Sequence, residues 1–191
     1  MVRGVFIANL VVQVGIVVTG AVVRLTGSGL GCPTWPECVD GSYVPVSRQE
    51  ESWHKYIEFG NRMLTFVLVI AAVAAIAAAF WDRRARKASG LEPRPAILVL
   101  AFIPFVGTFA QAILGGITVL TGLHPATVSA HFLLSMALIA GCVVLVVRAS
   151  DAGDRPIAHL VPSAVRWLSY SLVAVSALVV VLGVLVTGSG P

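Results

Sequence analysis

Three groups of side chains in this chain have types and spacing suited to chemistry. Cys32 and Cys38 bracket Pro33-Thr34-Trp35-Pro36-Glu37 within the glycine-rich stretch Arg24–Cys38. They read either as a structural disulfide or as an exchangeable, redox-active one, and no third thiol lies near enough to suggest a metal site. Glu58, Asn61 and Arg62 form a polar cluster, IEFGNR, where an apolar segment begins. Such a carboxylate either faces lipid headgroups or pairs with Arg62 at i, i+4. Alternatively it has a function, because acidic groups beside membrane spans are costly to keep. His131 lies about one turn inside a further apolar run, TVSAHFLLSMALIAGC. It reads either as a neutral histidine hydrogen-bonded to another helix or as a haem or metal ligand. Cys142, in the middle of the same run, reads as a small apolar residue.

The elements that must hold these groups follow from composition. The chain has 191 residues, 58% of them hydrophobic and 12% charged, with a mean hydropathy of +0.93. A soluble domain of this size cannot bury so much apolar surface. The apolar residues form long runs, as in transmembrane helices and unlike the short alternating strands of a barrel. Five spans are expected, near 4–24, 57–81, 95–120, 127–148 and 165–186. The first is too long for a signal-peptide core and lacks a clear cleavage site. The fold class is therefore all-α, a polytopic membrane protein. Its expected organisation is a four-helix bundle over 1–148, a linker over 149–164, and the first helix of a second bundle over 165–191.

The segment Asp82–Arg94 carries five basic residues against two acidic ones, and Arg148, Arg155 and Arg166 flank the linker. The positive-inside rule places both, together with Arg3, on the cytoplasmic side. The N-terminus is then cytoplasmic, and loop 25–56 lies outside. Trp35, Trp53, Tyr43 and Tyr56 suit a membrane interface, and Gln49–Tyr56 suggests a short surface helix. This topology brings Glu58, Asn61, Arg62, His131 and the cysteine loop to one membrane face. Gln111–Gly116 reaches the same face, and its paired glycines allow close packing or room for a flat ligand. Arg24 and Arg62 are placed to hold carboxylates, such as haem propionates, or lipid phosphate. His124 and His159 read as surface residues. No basic patch is interleaved with aromatics, so nucleic acid is excluded as a partner. Thr26–Gly29 and Thr187–Gly190 both read TGSG after a helix with the same direction. A parallel repeat explains the echo, and so does ordinary glycine use at helix ends.

The string GAVVRLTGSGLGCPTWPEC, then EFGNR, then QAILGGITVLTGLHP followed by a helix bearing His131, resembles the N-terminal half of haem A synthase. The resemblance covers nearly the whole chain. It implies one of two similar four-helix bundles in a bacterial plasma-membrane protein that oxidises a methyl group of haem O to the formyl group of haem A. It further implies that this bundle holds the substrate haem. A haem b cofactor would sit in a C-terminal bundle that is almost wholly outside this chain, so an incomplete form is expected. Membrane lipid, haem O synthase and cytochrome oxidase assembly factors are the implied partners. By the same resemblance Glu58 is the family's essential glutamate, Cys32 and Cys38 its external pair, and His131 its haem-binding histidine. The chain departs from the family where Asn61 replaces the histidine of the E-x-x-H-R motif; His54, two turns upstream, is the candidate substitute. The alternative reading is a non-catalytic haem-binding or electron-transfer membrane module.

Overall fold

The computed structural model describes residues 2–150 and 161–188. The described residues form five α-helices and no β-strand: α1 Val2–Leu25, α2 His54–Ala88, α3 Pro95–Leu120, α4 Pro125–Arg148 and α5 Ser163–Gly188. All five are long and apolar enough to cross a membrane, where a helix satisfies its own backbone. The protein is an all-α polytopic membrane protein. The linker positions Arg155 and His159, and Ser189–Gly190 of the TGSG echo, lie outside the described residues.

The chain divides into two compact units, Met1–Asp154 and Arg155–Pro191. In the first, α1–α4 pack in a ring, each against the next, with α4 closing on α1. Small residues let the helices approach, as lipid-embedded packing requires. One core cluster takes Phe6 from α1, Ala75 and Ala79 from α2, Ile97 and Ala101 from α3, and Leu145 from α4. Gly107 of α3 receives the Leu138 side chain of α4, and Gly141 of α4 receives Ile103 of α3. The second unit contains α5, whose side chains are exposed along nearly its whole length.

Helix ends are set by a recurring device. After α1, the Ser28 amide bonds to the Val23 carbonyl (2.8 Å) and that of Gly27 to Arg24 (3.1 Å). After α3, Leu123 bonds to Thr118 (2.9 Å) and Gly122 to Val119 (2.9 Å). After α2, Leu91 bonds to Arg86 (2.9 Å) and Gly90 to Lys87 (3.2 Å). Gly27, Gly122 and Gly90 all have positive φ. This is the Schellman stop, in which glycine takes the left-handed position. It explains why α2 runs past the expected boundary at 81: the basic segment DRRARKA continues as helix until Gly90 ends it. At the other end of α2 the expected surface helix over Gln49–Tyr56 does not form. Turns occupy 50–53, and His54 already belongs to α2.

Candidate functional site

The end of the ring carrying loop 26–53 and the α3–α4 turn gathers nearly all the candidate residues. The loop is organised from the first turns of α2. Lys55, Glu58 and Arg62 recur at i, i+3 and i+7, hence on one helix face. Lys55 is 4% exposed and Glu58 5%. The Lys55 ammonium donates to the carbonyls of Val46 (2.8 Å), Ser47 (3.4 Å) and Gln49 (3.3 Å). Arg62 uses all five of its N–H donors. Nε (3.1 Å) and Nη2 (2.6 Å) reach Glu58 Oε1. Nη1 reaches the carbonyls of Thr34 (3.0 Å) and Glu37 (3.2 Å), and Nη2 also that of Cys32 (2.7 Å). Glu58 Oε2 accepts the Cys32 amide at 2.9 Å. Glu58 therefore pairs with Arg62 at i, i+4. The carboxylate-holding role expected of Arg62 finds its donors turned onto Glu58 and the loop. Arg24 is an exposed residue in the last turn of α1.

Cys32 and Cys38 form a disulfide, and its sulfurs belong to residues 0% and 1% exposed. Gly31 lies so close to the His54 carbonyl that a side chain there would collide with α2 backbone. Gln49 Nε2 donates to the Gly31 carbonyl at 2.7 Å. His54 stacks on Trp53 with ring centroids 3.9 Å apart, and its Nδ1 shares a hydrogen bond with Ser28 Oγ at 2.9 Å. Ser28 Oγ in turn meets Thr26 Oγ1 at 2.7 Å. α2 does extend back to His54, but the ring is engaged with the loop rather than directed toward Asn61. Asn61 itself accepts the Thr19 hydroxyl of α1 at 2.7 Å.

His131 of α4 stands against the glycine pair of α3. Gly115 lies under its ring: a Cβ there would sit 3.2 Å from Cε1. The neighbouring Gly116 lies under the indole of Trp35. The paired glycines are thus the seats of two flat side chains, one from α4 and one from the disulfide loop. The His131 carbonyl accepts Gln111 Nε2 (3.1 Å) and Ser135 Oγ (3.0 Å), and Gln111 Nε2 also reaches Ser135 Oγ (2.6 Å). The His131 Nδ1 is buried without a hydrogen-bond partner among the described residues. Were a haem bound at this end, His131 could offer its iron an imidazole, whereas Asn61, tied to Thr19, offers only an amide, a poor ligand for haem iron. His124 caps α4, its Nδ1 accepting the Ala126 amide at 3.3 Å.

Sequence reasoning missed Lys55, Gln49, Gln111 and Ser135. The i, i+3, i+7 spacing of Lys55, Glu58 and Arg62 was the available signal for the first. Gln111 and Ser135 are polar residues within apolar runs, which is itself a signal.

The sequence profile of the COX15-CtaA family, cytochrome oxidase assembly proteins, matches residues 3–190. The chain belongs to this family. Among its relatives are the haem A synthases of Exiguobacterium sibiricum, 28% identical over 92% of this chain and 55% of that one, and of Lysinibacillus sphaericus, 30% identical over 90% and 53%. The haem A synthase of Bacillus pumilus is 33% identical over 72% of this chain and 41% of its own. The chain spans about half the length of the curated relatives it matches across most of its own residues. No solved structure matches it significantly.

Proposed function

We propose that this chain is the substrate-haem half of a bacterial haem A synthase, a membrane oxidoreductase that oxidises a methyl group of haem O to the formyl group of haem A. The observation that carries the reading is the family match over residues 3–190, with Glu58, Arg62, His131 and the cysteine pair of the family pattern at one end of the helix ring. His131 would hold the iron of haem O, its substrate. Haem b, the expected cofactor, belongs with a second bundle. As electrons leave the methyl carbon for an acceptor bound outside this chain, positive charge builds there until water adds the formyl oxygen, and a fixed carboxylate beside the site would stabilise that charge. Glu58 is that carboxylate. Its hold on the Cys32 amide also ties it to the loop covering the site. The positive-inside rule, applied to Arg3 and the basic segment 82–94, supports a cytoplasmic N-terminus with this site on the opposite side. Haem O synthase and cytochrome oxidase assembly factors are the partners this reading implies.

In cells making the complete protein with Glu58→Gln, haem O accumulates at the expense of haem A. Undiminished haem A removes Glu58 from the chemistry. Asn61 favours a second reading, a haem-binding or electron-transfer module without turnover, because it puts an amide where the family motif has a second histidine. Purified wild-type protein that takes up haem O and returns it unchanged, with the complete protein also inactive, selects that reading.

A further inference from the structure

The interior of the α1–α4 ring is filled unevenly. Gln13, Leu68, Thr108 and Leu138, one from each helix, are buried, each about 20 Å from the end of its helix nearest loop 26–53. Between them and that end, no residue of α1 over 14–25, α2 over 59–67, α3 over 109–115 or α4 over 125–137 is buried. The candidate ligand His131 and the motif residue Asn61 both lie in this loosely filled half, each about 10 Å from its helix end. From the same level a groove opens between α1 and α2. Its volume is about 170 Å³, and it is lined by Val12, Gly15, Ile16 and Thr19 of α1 and Leu64 of α2. Thr19 is the lining residue nearest the loop, and its hydroxyl is taken up by Asn61 Oδ1 (2.7 Å) and the Ile16 carbonyl (3.1 Å). The groove is therefore walled by hydrocarbon. Leu64 is one turn beyond Asn61 on α2, so the groove leads away from the site at that residue. Gly15 keeps it open: a Cβ there would meet nothing within 4 Å. Glycines in membrane bundles usually admit a neighbouring helix, as Gly107 and Gly141 do here. Gly15 admits none, so the room it leaves is unused by the packing of the described residues.

We propose that the α1–α2 groove is the seat of the isoprenoid chain of the haem substrate. The inference deepens the reading of the ring as the haem O site and rests on it. Haem O carries a long farnesyl chain on one edge of its porphyrin, and haem b does not. The groove is too small for a porphyrin, since pockets for ligands of that size start at about 300 Å³. A single chain fits it, along a length of about 10 Å from Thr19 to Val12. A hydrocarbon chain gains nothing hydrophobic by leaving lipid for such a groove. What it gains is close contact and a fixed direction. Anchoring the chain selects which edge of the porphyrin faces α1 and α2, and so orients the methyl carbon at a distance from the anchor. Specificity for the chain-bearing haem then lies with Gly15, whose missing side chain leaves the groove open.

The test compares haem O with haem b by absorption titration of the full chain in phospholipid nanodiscs. Wild type should bind haem O more tightly. Gly15→Leu places a side chain in the open groove. It should weaken haem O binding about tenfold, the size of a typical overpacking penalty, and leave haem b binding unchanged. Gly4→Leu makes the same change at an open glycine outside the groove and should alter neither. A wild type with no preference for haem O overturns the proposal, and that measurement decides alone if Gly15→Leu does not fold. Unaltered haem O affinity in Gly15→Leu also overturns it. So does an equal loss for both haems, which would mark the groove as a packing site filled by a lipid chain. In each of these cases the haem site itself stands. Failure of the wild type to bind either haem removes the substrate reading, and this proposal with it.

Discussion

The two ends of the α1–α4 ring are held by different physics. At the end formed by the α2–α3 turn, the helices meet through Phe6, Ala75, Ala79, Ile97, Ala101 and Leu145. Among the described residues an ion pair closes it: Arg94 Nη2 binds both oxygens of Asp82, at 3.0 and 2.9 Å, and Nη1 reaches the Ala149 carbonyl at 3.4 Å. At the other end a long loop with few apolar anchors is suspended from charged side chains on α2, a disulfide and glycine seats. Packing of small residues tolerates local change because many weak contacts share the load. A buried ion pair does not, since removing one partner leaves the other charge stranded. Both ends thus hold a buried ion pair, but only the α2–α3 end backs it with an apolar cluster, so single substitutions should act most strongly at the loop end, where the candidate chemistry also lies.

Breaking the comparison is easiest at Arg62. Arg62→Leu strands Glu58 and frees three loop carbonyls, with an expected loss of about 3–5 kcal/mol. Thermal unfolding in detergent should register it, and limited proteolysis should show cleavage within residues 33–50. An unchanged proteolytic pattern would mean that the loop is held by something other than these side chains. Arg94→Met should cost less than Arg62→Leu, about 3 kcal/mol, because it strands the largely buried Asp82 but frees one described carbonyl rather than three. Its proteolytic pattern in loop 26–53 should match the wild type. If Arg94→Met loosens that loop as well, the two ends are not independent. Replacing both Cys32 and Cys38 by Ser opens a short ring, for which the loop-closure model gives about 2 kcal/mol. Its burial predicts that the wild-type disulfide resists mild reductants while the protein is folded. Ready reduction in the native state, read by thiol labelling, would favour the exchangeable role.

The membrane-spanning elements were legible because runs of apolar residues longer than the hydrocarbon thickness have few alternatives. The Glu58–Arg62 pairing was legible too, as a spacing rule within one helix. Lys55 was not, because its partners are carbonyls six to nine residues away in a loop whose path no local rule specifies. Gln111–Gly116 pointed correctly to a close approach, yet a sequence pattern cannot say that one glycine would receive Trp35 and the next His131. The TGSG echo carried less than it promised. A Thr-Gly pair also follows α3, at Thr121-Gly122, and Thr26, Thr121 and Thr187 all bond back to the carbonyl four residues earlier. Helix termination accounts for the Thr-Gly of that string, while the Ser-Gly that follows it has no counterpart after α3. His54 showed that extending a helix to the right residue is insufficient, because the ring's neighbours decide where it points.

Lys55, Glu58 and Arg62 grip the covering loop almost entirely through its main chain. The carbonyls at 32, 34, 37, 46, 47 and 49 and the amide at 32 exist whatever side chains the loop carries. After Cys38, and apart from Gln49, that segment is free to diversify its outward-facing residues without loosening its attachment. Among homologous proteins it is thus the natural place for divergence in surface contacts, and in the laboratory a permissive position for inserted tags or altered charge.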